Sequence, residues 1–165
     1  MTSTDDLVTE ARAYEAAFDQ ADLPLPPTRK VAIVACMDAR LNPYRLFGLG
    51  LGEAHMIRNA GGAVTDDTIR SLTISQRLLG TEEIILVHHT ECGMLTFRDD
   101  EFREQLGTEV GVAPPWDVET FPDLDTNVRQ NLVRILASPF IPHKVSVRGF
   151  VYDVKTGGLR EVPPG

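Results

Sequence analysis

Short, continuously apolar segments alternate with amphipathic segments along the chain. Residues 31–35 (VAIVA) and 83–87 (EIILV) are apolar over nearly their whole length, which is typical of strands buried on both faces. The segments between them have helical spacing, and one begins at Thr65 with acidic residues in its first turn. Strands that alternate with helices indicate a single α/β domain whose central sheet is mostly parallel and flanked by helices. The predicted strands are 31–35, 54–58, 83–87, 145–154 and 159–162, the last two forming a C-terminal edge hairpin; the predicted helices are 4–18, 66–79, 99–106 and 122–137, with a short helical turn at 42–43 and a long loop at 107–120.

The N-terminal segment has a pattern of its own. A polar helix over residues 4–18 has one narrow apolar stripe, made by Leu7, Ala11, Tyr14 and Phe18. Three prolines between residues 24 and 27 then exclude helix and central strand. We therefore divide the chain into a protruding helix and Pro-rich linker, 1–27, and an α/β domain, 28–165. The stripe of the helix has to lie against either the domain or a second subunit.

Composition and charge exclude several classes of function. The 165 residues include 16 basic and 24 acidic side chains, a net charge of −8, which argues against nucleic acid as a partner. The longest apolar run, 31–37, is far too short to span a membrane. Two cysteines cannot form a disulfide framework, and the N-terminus lacks the features of a secretory signal, so the expected location is the cytoplasm.

The residues with the most distinctive chemistry follow the two most apolar strands. Cys36, Asp38 and Arg40 follow the first strand, and His89 and Cys92 follow the third. Because parallel strands end at one edge of a sheet, both groups should meet where open α/β sheets bind ligands. Thiolates, imidazole and carboxylate are the ligands that zinc prefers. Two other interpretations exist: two buried apolar cysteines beside an ordinary surface ion pair, or a redox-active thiol pair, although no C-x-x-C motif supports the latter.

The same residues match a known family. The motif Cys36-x-Asp-x-Arg40 followed by His89-x-x-Cys92 resembles that of the β-class carbonic anhydrases, in their compact prokaryotic branch. The resemblance extends over residues 28–162 and includes Ile57-Arg-Asn-Ala-Gly61, His89-Thr-Glu-Cys-Gly-Met94 and the C-terminal run from Val147 to Asp153. It implies a lyase with one Zn²⁺ per subunit, bound by Cys36, His89 and Cys92, with water or Asp38 as the fourth ligand.

The resemblance also implies a reaction and an assembly. The reaction is the reversible hydration of carbon dioxide to bicarbonate and a proton by zinc-bound hydroxide, which forms because zinc lowers the pKa of its water. Arg40 would hold the Asp38 carboxylate off the metal, where it orients the attacking group. Self-association into a homodimer, and a tetramer built from it, is expected, with the N-terminal helix as an oligomer contact. The predicted substrate pocket for this small molecule comprises Asn59, Ala60, Gly61 and Gly93.

Some alternatives stay open from the sequence. The same metal site could hydrolyse another small heterocumulene such as carbon disulfide, or the zinc could be structural with no catalysis. His88 adjoins a predicted ligand but should point to the opposite face of its strand, where it is a packed or supporting histidine. His55 and His143 have no pattern of partners, which predicts structural or exposed positions.

Overall fold

The computed structural model describes residues 2–164. Its centre is a five-stranded sheet with the strand order β2-β1-β3-β4-β5. The first four strands in this order are parallel, and β5 pairs with β4 in the antiparallel direction, so the predicted α/β class and edge hairpin are confirmed. The strands are β1 (Val31–Cys36), β2 (Ala54–Asn59), β3 (Glu83–His89), β4 (Val147–Tyr152) and β5 (Leu159–Val162); the helices are α1 (Ser3–Ala16), α2 (Pro43–Leu46), α3 (Asp66–Arg77), α4 (Asp99–Val110) and α5 (Leu124–Ala137), with 3-10 turns at Ala60–Gly62 and Gly93–Leu95.

The sheet separates two apolar cores. All six residues of β1 are buried, and alternate residues face opposite sides. Ala32 and Val34 face the core that α3 and α5 cover, whereas Ile33 and Ala35 face the second core. Loops cover most of that second side, together with the short α2, and the site described below lies at its edge.

Close packing of α5 on β4 depends on Gly149. A Cβ atom built at this position would lie 2.5 Å from Cγ1 of Val128 and 2.9 Å from Cδ1 of Leu132. Only glycine therefore lets α5 approach the strand this closely. At its start, the helix is capped by Asp123, whose Oδ1 accepts a hydrogen bond from the amide of Thr126 at 2.8 Å.

The boundaries of all four longer helices differ from the predicted ones by a few residues: α1 ends at Ala16 and α3 at Arg77, each two residues early, and α4 and α5 differ as follows. α4 continues through residues predicted as loop and ends where Gly111, at φ 77°, supplies a left-handed cap. α5 begins at Leu124, two residues late, because Asp123 is the cap and not a helical residue.

The N-terminal helix does not pack into either core. No residue of α1 is buried, and the side chains of Leu7 and Tyr14 are 70% and 61% exposed. Its start is fixed locally by Thr2 and Asp5, each of which bonds to the backbone amide of the other. Within residues 2–164, no helix has the length and apolar character needed to cross a membrane.

Candidate metal centre

Three predicted ligands meet at the carboxyl ends of β1 and β3. Cys36 is the last residue of β1, His89 is the last residue of β3, and Cys92 follows in the next turn. Their ligand atoms all lie within 4.8 Å of one another, and all three residues are buried. The neighbouring parallel strands β1 and β3 bring the two sequence segments together, as the topology argument required.

The spacing of these atoms fits a tetrahedral ion. The two sulfurs are 4.0 Å apart, far beyond a disulfide bond of about 2.05 Å. Two sulfurs bound to a tetrahedral zinc at about 2.3 Å would be about 3.8 Å apart. Nδ1 of His89 contacts the carbonyl of Thr90 at 2.9 Å, whereas its Nε2 is buried without a hydrogen-bond partner. A donor bond from Nδ1–H leaves the lone pair on Nε2, the tautomer that a metal ligand needs.

The electrostatics of the pair of thiols favour one thiolate. The hydrogen bond from Cys92 lowers the pKa of Cys36 to about 4, although burial opposes this shift. The same bond, followed by burial, raises the pKa of Cys92. Burial lowers the pKa of His89, but the nearby Cys36 sulfur and the bond to the carbonyl of Thr90 outweigh burial and raise the pKa overall. The two sulfurs thus hold one proton between them, which a metal cation would displace on binding both as thiolates.

Asp38 lies beside this group and is held by Arg40. The guanidinium donates from Nε to Oδ1 at 3.0 Å and from Nη2 to Oδ2 at 2.8 Å, and the amide of Arg40 donates to Oδ1 at 2.8 Å. These bonds hold the pKa of Asp38 well below its usual range. Oδ2 is also 3.6 Å from Nε2 of His89. The carboxylate is therefore outside the group of three donors but next to it.

Arg58 organises the loop that carries these residues, a role that the sequence analysis did not predict. Its guanidinium donates to the backbone carbonyls of Cys36, Asp38 and Leu41 at distances of 2.8–3.0 Å. Arg58 lies on β2, next to β1, one position before Asn59, the partner of Cys36 in the register. The available signal was its place in the motif Ile57-Arg-Asn-Ala-Gly61, which does not reveal that its partners are carbonyls.

A cavity of about 750 Å³ opens beside the site. Three of the four residues expected in the substrate pocket, Asn59, Ala60 and Gly93, line this cavity, together with mostly apolar side chains that include Met94 and Trp116. Gly61 does not line this cavity. It is buried behind the wall at φ 77°, where an added Cβ would be 3.2 Å from Cγ of Met94. The turn needs glycine there because left-handed backbone disfavours a side chain.

The remaining histidines lie outside the three-donor group. His88 faces the opposite side of β3 and its Nε2 contacts Oδ1 of Asn127 at 2.8 Å. Burial lowers the pKa of His88 to about 4, so it is neutral near pH 7. His55 contacts the hydroxyl of Ser75 at 2.7 Å, and the exposed His143 bonds to Gln76 through its backbone amide and carbonyl.

Comparison with known proteins gives a consistent result. The profile of the family described as carbonic anhydrase matches residues 31–159. A relative named β-carbonic anhydrase 1, from Mycobacterium tuberculosis, is 57% identical over 99% of this chain and 100% of its own length. A carbon disulfide hydrolase from Acidithiobacillus thiooxidans is 33% identical over 85% of this chain and 79% of its own. The crystal structure of a carbonic anhydrase from Streptococcus mutans superposes with a TM-score of 0.91 and 46% identity over 99% of each chain.

Proposed function

The chain belongs to the β-class carbonic anhydrases and hydrates carbon dioxide reversibly to bicarbonate and a proton, and we propose that it does so with a zinc ion held by Cys36, His89 and Cys92. The observation that supports this ligand set is the buried group of two sulfurs and one unpartnered imidazole nitrogen. Zinc, when bound, lowers the pKa of a water ligand and so supplies hydroxide near neutral pH. The chain's own residues provide its binding site, the orientation of the attacking group and a place for the substrate.

Asp38 is proposed to orient the attacking water. Its carboxylate is ionised and faces the three donors, with Oδ2 3.6 Å from Nε2 of His89. From this position it accepts a hydrogen bond from the water, which fixes the direction of the oxygen lone pair toward carbon. Arg40 keeps both carboxylate oxygens in place through its two parallel bonds. Without Arg40, the carboxylate would be free to turn toward the metal ligands and take the fourth position itself.

The apolar cavity is proposed to hold carbon dioxide before attack. Its walls include Ala60, Gly93 and Met94, which offer a linear, uncharged molecule apolar contact, and the acidic residues Asp67, Asp117 and Glu119 also line it. Desolvation of this small substrate costs little, while an anion would be disfavoured both by the apolar walls and by the acidic side chains. Bicarbonate, the charged product, is therefore expected to leave toward solvent rather than remain in the cavity.

Hydrolysis of carbon disulfide is not favoured as the activity. The carbon disulfide hydrolases are 32–35% identical to the chain, whereas the β-carbonic anhydrase 1 relative is 57% identical over its full length. Permanently structural zinc is disfavoured by the position of Asp38, which Arg40 holds beside the donors rather than within the group.

We also propose that the enzyme is a cytoplasmic homodimer, which can pair further into a tetramer. The apolar stripe of α1, with Leu7 and Tyr14 exposed, covers nothing within the described part of its own chain. A second subunit would bury it. Two free, buried thiols at the site suit a reducing compartment, and this supports the cytoplasm as the location.

The test combines metal analysis with a stopped-flow hydration assay. We expect about one zinc per chain, loss of hydration activity after chelation, and recovery when zinc is restored. The Cys92→Ser variant should lose zinc and activity together, because a neutral hydroxyl is a poor zinc ligand. Full activity in a chain stripped of metal would refute the proposed site.

A further inference from the structure

Arg40 contacts carboxylates on two sides. One side holds Asp38, and on the other Nη2 donates to the backbone carbonyl of Glu91 at 3.0 Å, while Nη1 lies 3.7 Å from Oε2 of Glu91. Lys155 in turn contacts Oε1 of Glu91 through its ammonium group. Charges therefore alternate outward from the metal donors in the order Asp38, Arg40, Glu91, Lys155.

The backbone fixes Glu91 in this place. It has φ 54°, a left-handed conformation that is uncommon for a residue with a side chain. The turn that contains it is tied to the end of β4, because the amide of Thr90 donates to the carbonyl of Tyr152 at 2.9 Å. The amide of Val154 donates back to the hydroxyl of Thr90 at 3.1 Å. Glu91 and Lys155 thus belong to two turns that hydrogen bonds hold together.

We propose that Glu91, held by Lys155, is a positioning residue that fixes Arg40 where it keeps the Asp38 carboxylate away from the metal donors. Arg40 can prevent Asp38 from turning toward the donors only if the guanidinium does not follow the carboxylate. The contacts to Glu91 supply that second anchor. The inference rests on the proposed metal site. It assigns to Glu91 and Lys155 a role in setting the fraction of subunits in which the fourth coordination position of the metal is not taken by Asp38.

The physical expectation is a modest shift in that fraction. Arg40, Glu91 and Lys155 are about half exposed or more, at 48%, 49% and 73% of their side-chain areas. Exposed ion pairs shift equilibria by up to about fivefold. When only the open form binds an exogenous ligand, the apparent dissociation constant rises in inverse proportion to the open fraction.

The experiment measures azide binding to the cobalt-substituted full chain by visible absorption. In Glu91→Gln, which keeps the backbone carbonyl, we expect one cobalt per chain and azide affinity weakened about two- to fivefold. A simple charge effect has the opposite sign, since removing a negative charge near an anion site should tighten azide. Lys155→Met should also weaken azide, by a smaller factor, and should do so only while the Asp38 carboxylate is present, since a simple charge effect would weaken azide equally in an Asp38→Asn background; this comparison keeps the proposal testable should Glu91→Gln fail to fold.

Two controls make the result specific. Glu82→Gln removes the same charge from a glutamate that also pairs with a lysine, Lys30, at 2.7 Å, but at the opposite end of β3. It should leave azide affinity unchanged. In an Asp38→Asn background, Glu91→Gln should no longer weaken azide binding, because an amide at position 38 is a poor fourth ligand for the metal and leaves nothing for Arg40 to hold back.

Each outcome decides a different point. Azide affinity that is unchanged or tighter in Glu91→Gln, or weakening that persists without the Asp38 carboxylate, overturns the inference while leaving the metal site intact. Native chain that binds no cobalt overturns the metal site, and the inference with it.

Discussion

Replacement of Gly62 by alanine tests how the backbone holds the strand that carries the proposed zinc ligand Cys36. Gly62 ends the 3-10 turn that follows β2 and has φ 68°. A Cβ atom there would lie 2.9 Å from the backbone nitrogen of Cys36 and 3.1 Å from the carbonyl carbon of Ala35. These neighbours belong to the end of β1, in the middle of a parallel sheet, so they cannot rotate away as a flexible side chain would. The strain should therefore move Cys36.

The expected loss of stability in Gly62→Ala has two separable contributions. A side chain in left-handed backbone costs about 1–2 kcal/mol. Overpacking against a rigid neighbour adds about 1–3 kcal/mol. The free energy of unfolding of Gly62→Ala should therefore fall by about 2–5 kcal/mol. Gly80→Ala is the matched control, because Gly80 has φ 74° but no atom within 4 Å of its added Cβ, so it isolates the first contribution.

The assay is urea denaturation of the metal-free variants, followed by zinc titration. Metal-free protein is needed because a ligand that binds only the folded state would raise the stability of each variant by a different amount. Gly62→Ala should lose about 1–3 kcal/mol more than Gly80→Ala, by the steric contribution alone, and should bind zinc more weakly. Equal stability losses in the two variants, with equal zinc affinity, would refute the reasoning.

Four further predictions concern the site and the assembly. Asp38→Asn should retain zinc while turnover falls at least about 100-fold; full turnover in stopped flow would remove Asp38 from the reaction. Arg58→Met should weaken zinc binding about 10- to 100-fold in a competition titration, since the loop loses its carbonyl contacts; unchanged affinity would contradict that support. Hydration activity should rise through alkaline pH, because two thiolates leave less positive charge at the metal than three neutral imidazoles would; a profile flat from pH 6 contradicts this. Leu7→Glu combined with Tyr14→Glu should shift the mass in light scattering toward the monomer, and an unchanged mass would argue against α1 as the contact.

The sheet and the three metal donors were predictable because one geometric rule connects them. Residues 31–35 are continuously apolar, which marks a strand buried on both faces, and the structure has β1 at Val31–Cys36. Parallel neighbours end at the same edge, so Cys36 and His89 had to approach each other once both strands were recognised. Neither step needs knowledge of side-chain packing.

The course of the chain around α4 was less predictable. Gly107 and the residues after it have turn-forming character, yet the helix includes Gly107 and ends only at Gly111. The amide of Gly111 bonds to the carbonyl of Gly107 at 3.0 Å, which completes the last turn. Two glycines four residues apart carry the same signal in the sequence, and the surrounding contacts decide which of them ends the helix.

The contacts that support the site lay beyond sequence reasoning for a different physical reason. Arg58 binds only backbone carbonyls. Every residue offers such an acceptor, whatever its side chain, so no residue type in the sequence marks the partners of Arg58. Glu91 binds Arg40 and Lys155, which are 51 and 64 positions away, through exposed groups whose individual attractions are weak. Ligands are fixed by strong bonds to one point and therefore have a recognisable spacing. The residues that hold the ligands are fixed by several weak bonds from separate elements, and their partners become visible only when the turns are in place.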